Sequence, residues 1–158
     1  MMTSNAITIF LLFLNISLFP AISALNQEGH SLLSWLSTFN SSFSATFFSS
    51  WDPTHQNPCK WEYVQCSRDG FVTEIAISSI KLPTTFPTQV LSFNHLTTLV
   101  LSNGNLTGEI PPSIGNLSSL INLNLSFNAL TGNIPVEIGK LSELQSLSLS
   151  TNFLHGEI

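Results

Sequence analysis

Leucines recur along the second half of this chain at a fixed step. Leu96, Leu120 and Leu144 stand 24 residues apart, as do Leu99, Leu123 and Leu147, and then Leu101, Leu125 and Leu149. The same step relates Leu106, Leu130 and Leu154, then Gly108, Gly132 and Gly156, then Ile110, Ile134 and Ile158, with Pro111 and Pro135 following. One step earlier the columns are filled less regularly, by Val72, Ile75, Ile77, Leu82, Phe86, Pro87, Val90 and Phe93. Each unit reads L-x-x-L-x-L-x-x-N-x-L-x-G-x-I-P, and about four units fill residues 72–158, the last of them incomplete. Alternation in L-x-L sends the leucines to one face of a short strand and the residues between them to the other. The Gly-x-Ile-Pro stretch that follows would break a helix. No such unit buries its apolar face alone, so the units are predicted to stack as an α/β solenoid whose strands form a curved parallel sheet.

The outward positions of that sheet are the candidate contact surface. They are Glu74, Ala76, Ser78 and Ser79 in the first unit, Thr98, Val100, Ser102 and Asn103 in the second, and Asn122, Asn124, Ser126 and Phe127 in the third. The fourth adds Ser146, Ser148, Ser150 and Thr151. This face is small, neutral and hydroxyl-rich, and Phe127 is its one aromatic of the kind that anchors partners. Asn128 and Asn152 stand at strand exits, where side-chain amides can satisfy backbone groups of the turning chain. Gly104 takes that place in the second unit, leaving a rung for water, Asn103 or Asn105 to fill.

Ahead of the units the spacing becomes helical. Asn26 is a candidate N-cap for a helix carrying Leu32, Leu33, Leu36 and Phe39 on one side. Phe43, Phe47, Phe48, Trp51 and Trp61 follow, and residues 25–71 are read as a cap that covers the apolar end of the first unit. Earlier still, the apolar run Ile7 to Phe19 leads into Pro20, Ala21, Ser23 and Ala24. That order predicts a signal peptide over residues 1–24, cleaved after Ser23 or Ala24, although Met1 to Ala6 holds no Lys or Arg. The run is shorter than the ~20 apolar residues of a membrane span.

Export to the secretory pathway suits the cysteines. Cys59 and Cys66 are the only two, and their C-x6-C spacing fits neither a zinc pair nor a redox C-x-x-C. A disulfide between them is expected in an oxidising compartment, with two free thiols as the alternative. The sequons at Asn40, Asn105, Asn116 and Asn124 are then candidates for glycosylation.

Charge removes several function classes. Four Lys+Arg against nine Asp+Glu leave a net charge of -5. No basic patch is available for nucleic acid or for an anionic membrane surface. The sequence holds no phosphate-binding loop, nucleophile elbow, zinc-protease helix or kinase catalytic loop, so no catalytic residue, metal, cofactor or small-molecule substrate is assigned. His55 is read as an exposed loop residue, and Glu109, Glu137, Glu143 and Glu157 as solvated.

The cap segment then supplies a specific resemblance. Leu32 to Trp35 read L-L-x-W, Trp51 to Pro53 read W-D-P, and Asn57 to Cys66 read N-P-C-K-W-E-Y-V-Q-C. With the G-x-I-P units, this is similar to the N-terminal ectodomain of plant leucine-rich-repeat receptor-like kinases. The W-x-Y-V-x-C form, followed by V-T-E-I at Val72 to Ile75, most resembles the receptors for root meristem growth factor peptides. Many family members carry Gly where Tyr63 stands here. The resemblance implies an extracellular protein- or peptide-binding scaffold at the plasma membrane that works with a co-receptor kinase. It implies no catalysis within this chain, because the kinase of those relatives lies in a separate domain. Arginines of later units read the ligand in the growth-factor group, and no Arg follows Arg68, so ligand-reading residues are not carried over. A small secreted interaction protein of the polygalacturonase-inhibitor kind is the alternative. If Leu144, Leu147, Leu149, Leu154 and Ile158 lose half their burial for want of a following unit, the loss is roughly 4–7 kcal/mol. That is comparable with the ~5–15 kcal/mol of a whole domain, and a marginal or self-associating fragment is expected.

Overall fold

The computed structural model describes residues 25–156. The expected signal peptide, Glu157 and Ile158 lie outside the described residues.

Two helices open the fold. In α1 (Gln27–Leu36) the Asn26 side chain accepts the Gly29 N–H at 2.9 Å, satisfying one of the donors that a helix start leaves free. Leu32 and Trp35 are buried on its inner side. In α2 (Ser41–Phe47) Asn40 caps in the same way, accepting from Phe43 N–H at 2.9 Å. No residue of α2 is fully buried, and Phe43 and Phe47 pack only partly against the core. Aromatic rings run from these helices toward the first unit: Trp35 meets Trp51 at 6.2 Å, Phe48 meets Trp51 at 4.8 Å, and Trp51 stacks on Trp61 at 5.3 Å. These rings are packing material. Trp51 Nε1 donates to the Glu62 carbonyl at 3.0 Å and Trp61 Nε1 to His55 Nδ1 at 3.1 Å. His55 is therefore a half-buried acceptor inside the cap rather than an exposed loop residue.

The sheet begins with β1 (Val64–Cys66), which pairs antiparallel with β2 (Val72–Ser78). From there the strands are parallel: β2 to β3 (Thr98–Ser102), β3 to β5 (Asn122–Asn124), and β5 to β7 (Ser146–Ser148). Ile75 pairs with Leu99, Leu99 with Leu123 and Leu123 with Leu147, so the sequence period is also the register of the ladder. A second parallel pair, β4 (Thr107–Glu109) with β6 (Ala129–Thr131), forms where the chain leaves the sheet. Short 3₁₀ turns at Thr88–Ser92, Pro112–Asn116 and Val136–Lys140 return it. Pro87, Pro111 and Pro135 start those turns, where a missing N–H costs nothing.

Two features were not expected. Strand β1 comes from the cap and covers the first edge of the sheet, an edge that would otherwise offer a row of unpaired backbone groups. At the Gly104 rung, in turn, neither Asn103 nor Asn105 takes the place of the missing carboxamide: the Asn103 side chain donates to the Ser79 hydroxyl instead. The Gly104 carbonyl itself accepts the Leu82 N–H at 2.6 Å. A Cβ at Gly104 would lie 3.3 Å from both Asn128 Oδ1 and the Ile80 carbonyl, so the backbones approach here because no side chain separates them. Glu28 completes the junction: its carboxylate accepts the Val72 N–H at 2.8 Å, tying the first turn of α1 to the start of β2.

Candidate interaction surface

Four strand segments place their outward side chains in columns one ladder step apart. Thr98, Asn122 and Ser146 form one column, and Val100, Asn124 and Ser148 the next. All are half-buried except Ser146, which is exposed. Ser78 and Ser102 continue the face and bond hydroxyl to hydroxyl at 2.9 Å. Ser150 is exposed at the end of the fourth segment.

Ser126 corrects the outward reading of its column. It is 5% exposed, because its hydroxyl turns back to donate to Asn124 Oδ1 at 2.7 Å while its N–H donates to the same oxygen at 3.0 Å. This local Asx turn takes Ser126 out of the accessible face and occupies the carboxamide oxygen of a sequon asparagine.

At the exit of each strand the backbone turns left-handed. Ser79, Asn103, Phe127 and Thr151 have φ of 62°, 51°, 56° and 55°, a region that costs an ordinary L-residue roughly 1–2 kcal/mol. Phe127 occupies this strained position and is still 57% exposed. Beside it, Asn128 makes five bonds. Its Oδ1 accepts from Gly104 and Leu106 N–H at 3.1 and 3.0 Å, and its Nδ2 donates to the Leu101, Leu125 and Ser126 carbonyls at 2.6, 3.0 and 3.3 Å. Asn152 repeats the device one coil later, reaching Leu130 N–H and the carbonyls of Leu125, Leu149 and Ser150. At the entry side of the sheet, Phe71 stacks on His95 with ring centres 4.1 Å apart.

Cys59 and Cys66 form a disulfide with Cα atoms 5.4 Å apart, within the cap. Asn40, Asn105 and Asn116 are exposed and Asn124 is half-buried. Titratable groups are few. Burial pushes the Glu28 carboxyl above its ordinary value, partly offset by the Val72 N–H and by His95. The Thr54 backbone N–H and hydroxyl hold the Asp52 carboxyl below its own. Burial, and then the charge of Glu62, raises Tyr63. No cluster of three or more His, Cys, Asp or Glu side chains able to hold a metal occurs among the described residues. The clefts are open and shallow. An apolar one, about 450 Å³, is lined by Ile134, Pro135, Val136, Ile138 and Gly139 of the third coil and Leu147 of the fourth.

A helical, disulfide-closed cap followed by coils whose leucines, asparagines and prolines recur in register defines a capped leucine-rich-repeat solenoid. The chain belongs to the leucine-rich-repeat family: its residues 25–67 match the leucine rich repeat N-terminal domain and residues 94–154 the leucine rich repeat model. Within that family it is similar to plant receptor kinases. It is 42% identical over 105 residues to the LRR receptor-like serine/threonine-protein kinase RGI2 of Arabidopsis thaliana, a match covering 62% of this chain and 9% of that protein. Among solved structures it is similar to the ectodomain of the Arabidopsis receptor kinase HAESA in complex with an extended IDA peptide hormone. The identity there is 30% and the TM-score 0.69, over 83% of this chain and 22% of that one. It is also similar to the plant peptide hormone receptor RGFR1 in complex with RGF2, with 38% identity and a TM-score of 0.57 over 63% of this chain and 19% of the other. The chain thus spans about a tenth of the RGI2 relative, and both family matches are to cap and repeat rather than to a catalytic domain.

Proposed function

We propose that this chain forms the N-terminal end of the extracellular scaffold of a plant cell-surface receptor kinase, in the group that binds secreted peptides together with a co-receptor kinase. The carrying observation is the junction: a disulfide-closed cap gives β1 to the first edge of the ladder and seals the first coil, so that the coils after it can stack. In this reading the segment's first task is to start the solenoid and keep its end out of water. Its sheet face adds a neutral surface of small hydroxyl and amide groups, with Thr98, Val100, Ser102, Asn122, Asn124, Ser146, Ser148 and Ser150 as the positions open to a protein or peptide partner. The scaffold is extracellular, exported by residues 1–24 and glycosylated.

Long-read sequencing of the native transcript across the codon for Ile158 tests this. Continuation into further units of the same period, a membrane span and a kinase domain is the expected result. A stop codon directly after Ile158 would overturn the receptor assignment and leave a small exported repeat protein.

A further inference from the structure

We infer that Asn105 carries an N-linked glycan whose first sugar packs on the ring of Phe127, so that carbohydrate rather than a protein partner covers this side of the sheet. The inference rests on the secretory reading above and names a site within it.

Phe127 is the feature that needs an occupant. Its ring is 57% exposed on a backbone held at φ 56°, while the equivalent residues Ser79, Asn103 and Thr151 are all small and polar. A large aromatic is the least suitable of these for a left-handed, solvated position. Asn105 lies across the same groove, a cleft of about 300 Å³ lined by Lys81, Asn103, Asn105, Phe127, Asn128 and Thr151. It begins the sequon Asn105-Leu106-Thr107.

The geometry of that sequon suits a glycan. Asn105 and Thr107 are exposed while Leu106 between them is fully buried, so the middle residue anchors the tripeptide and the folded chain leaves room for a sugar on Asn105. The Asn105 carboxamide makes no hydrogen bond among those found within the described residues, whereas Asn40 is engaged in capping α2 and Asn124 in the Asx turn with Ser126. A pyranose presents an apolar C–H face and a polar rim. The face suits the open Phe127 ring, and Lys81 and Thr151 border the groove where they can meet hydroxyl and acetamide groups. Attachment takes place before folding. The Asn105 amide nitrogen forms a C–N bond to the anomeric carbon of a lipid-diphosphate-linked oligosaccharide, the C–O bond to the diphosphate breaks, and the amide proton leaves with the lipid diphosphate.

The test uses the full chain secreted from plant cells, with glycopeptide mass spectrometry reading each sequon. Asn105 is expected to be occupied. Thr107→Val removes the sequon while keeping Asn105, whose backbone is itself left-handed at φ 59°. After subtraction of the same substitution's effect in unglycosylated protein from the bacterial periplasm, it is expected to lower Tm by about 2–5 °C. In a Phe127→Asn background that glycan-dependent loss should largely vanish. A second readout needs no sequon change: with the glycan trimmed to one core sugar, its C–H protons should show ring-current shifts that Phe127→Asn abolishes. A bare Asn105 on protein whose other sequons are occupied overturns the inference and leaves the secretory reading standing. So does an Asn105 glycan whose loss is indifferent to Phe127 and whose sugar protons are unshifted. If the chain is not exported and no sequon is occupied, the secretory reading fails and this inference fails with it.

Discussion

The two ends of the solenoid carry the same sequence pattern and meet opposite environments. In the column of the first strand leucine, Leu99 and Leu123 are fully buried while Leu147 is 45% exposed. At the N-terminal end the equivalent Ile75 is as buried as Leu99, because the cap lies over it. On the same fourth coil Leu144, Leu149 and Leu154 are only half-buried, where Leu120, Leu125 and Leu130 one coil earlier are fully buried. Burial in this fold is therefore a property of having a neighbour on both sides, and the cap is the device that substitutes for one.

Truncating the column at its middle and at its open end gives the largest contrast. Leu123→Ala should cost about 3–4 kcal/mol, the usual range for emptying a closed core site. Leu147→Ala should cost about 1 kcal/mol, since nearly half of that residue's surface stays in water. Urea midpoints of the two variants measure the difference. Equal losses would show the open coil to be covered in solution, and a concentration-dependent midpoint would identify self-association as the cover.

The asparagine ladder sharpens the comparison. Asn128→Ala strands the Gly104 and Leu106 N–H groups inside the stack and takes a donor from the Leu101 carbonyl, and at ~1–3 kcal/mol per buried orphan, softened by local relaxation, about 3 kcal/mol should be lost. Asn152 makes the same kind of bonds half-exposed, where water can replace it, and its alanine variant should lose roughly 1 kcal/mol. The cap end is probed by replacing Cys59 and Cys66 together with serine. The chain-entropy value for so short a loop is about 2.5 kcal/mol. Hydrogen exchange should then accelerate in β1 and β2 ahead of β5, because the seal rather than the middle of the ladder has been loosened.

The period was legible because every coil must repeat its neighbour's packing, so Leu, Asn, Gly and Pro return to the same columns. The less regular features were hidden for particular reasons. Val64–Cys66 is too short to announce a strand, and its antiparallel pairing depends on the cap turning back toward Val72. Nothing in the residue type of Gly104 says that its carbonyl reaches Leu82; a missing side chain let two backbones close together, and no pattern records that. Ser126 was placed outward by alternation, but the Asx turn of Asn124 competes with the strand just where it ends. The left-handed column is equally silent, since Asn103 alone among its residues favours that conformation. Tyr63 is the instructive exception. Its φ of 68° supplies a physical reason for the glycine that many similar receptors carry there, and its ring contact with Phe48 at 5.7 Å shows what the tyrosine gains in exchange.

The smallest effect expected concerns the seam between cap and ladder, where Glu28 accepts the Val72 N–H. Burial raises its carboxyl above the ordinary 4.5, so the folded protein holds this proton more tightly than the unfolded chain does. The folded state then binds more protons between 4.5 and the raised value, and stability from this group falls as pH rises through that window. Above the window a constant penalty for the buried charge remains; below 4.5 it is gone. Glu28→Gln keeps an oxygen for the Val72 N–H and removes the charge. The variant should exceed the parent in stability at pH 7 by less than about 0.5 kcal/mol, because solvent reaches the group and screens it. The gap should close as pH drops below 4.5, as paired urea titrations at pH 4 and pH 7 would show. A variant less stable than the parent at pH 7 would mean that the charge on Glu28, through the Val72 N–H and the start of α1, holds the cap to the first coil more strongly than its burial opposes it.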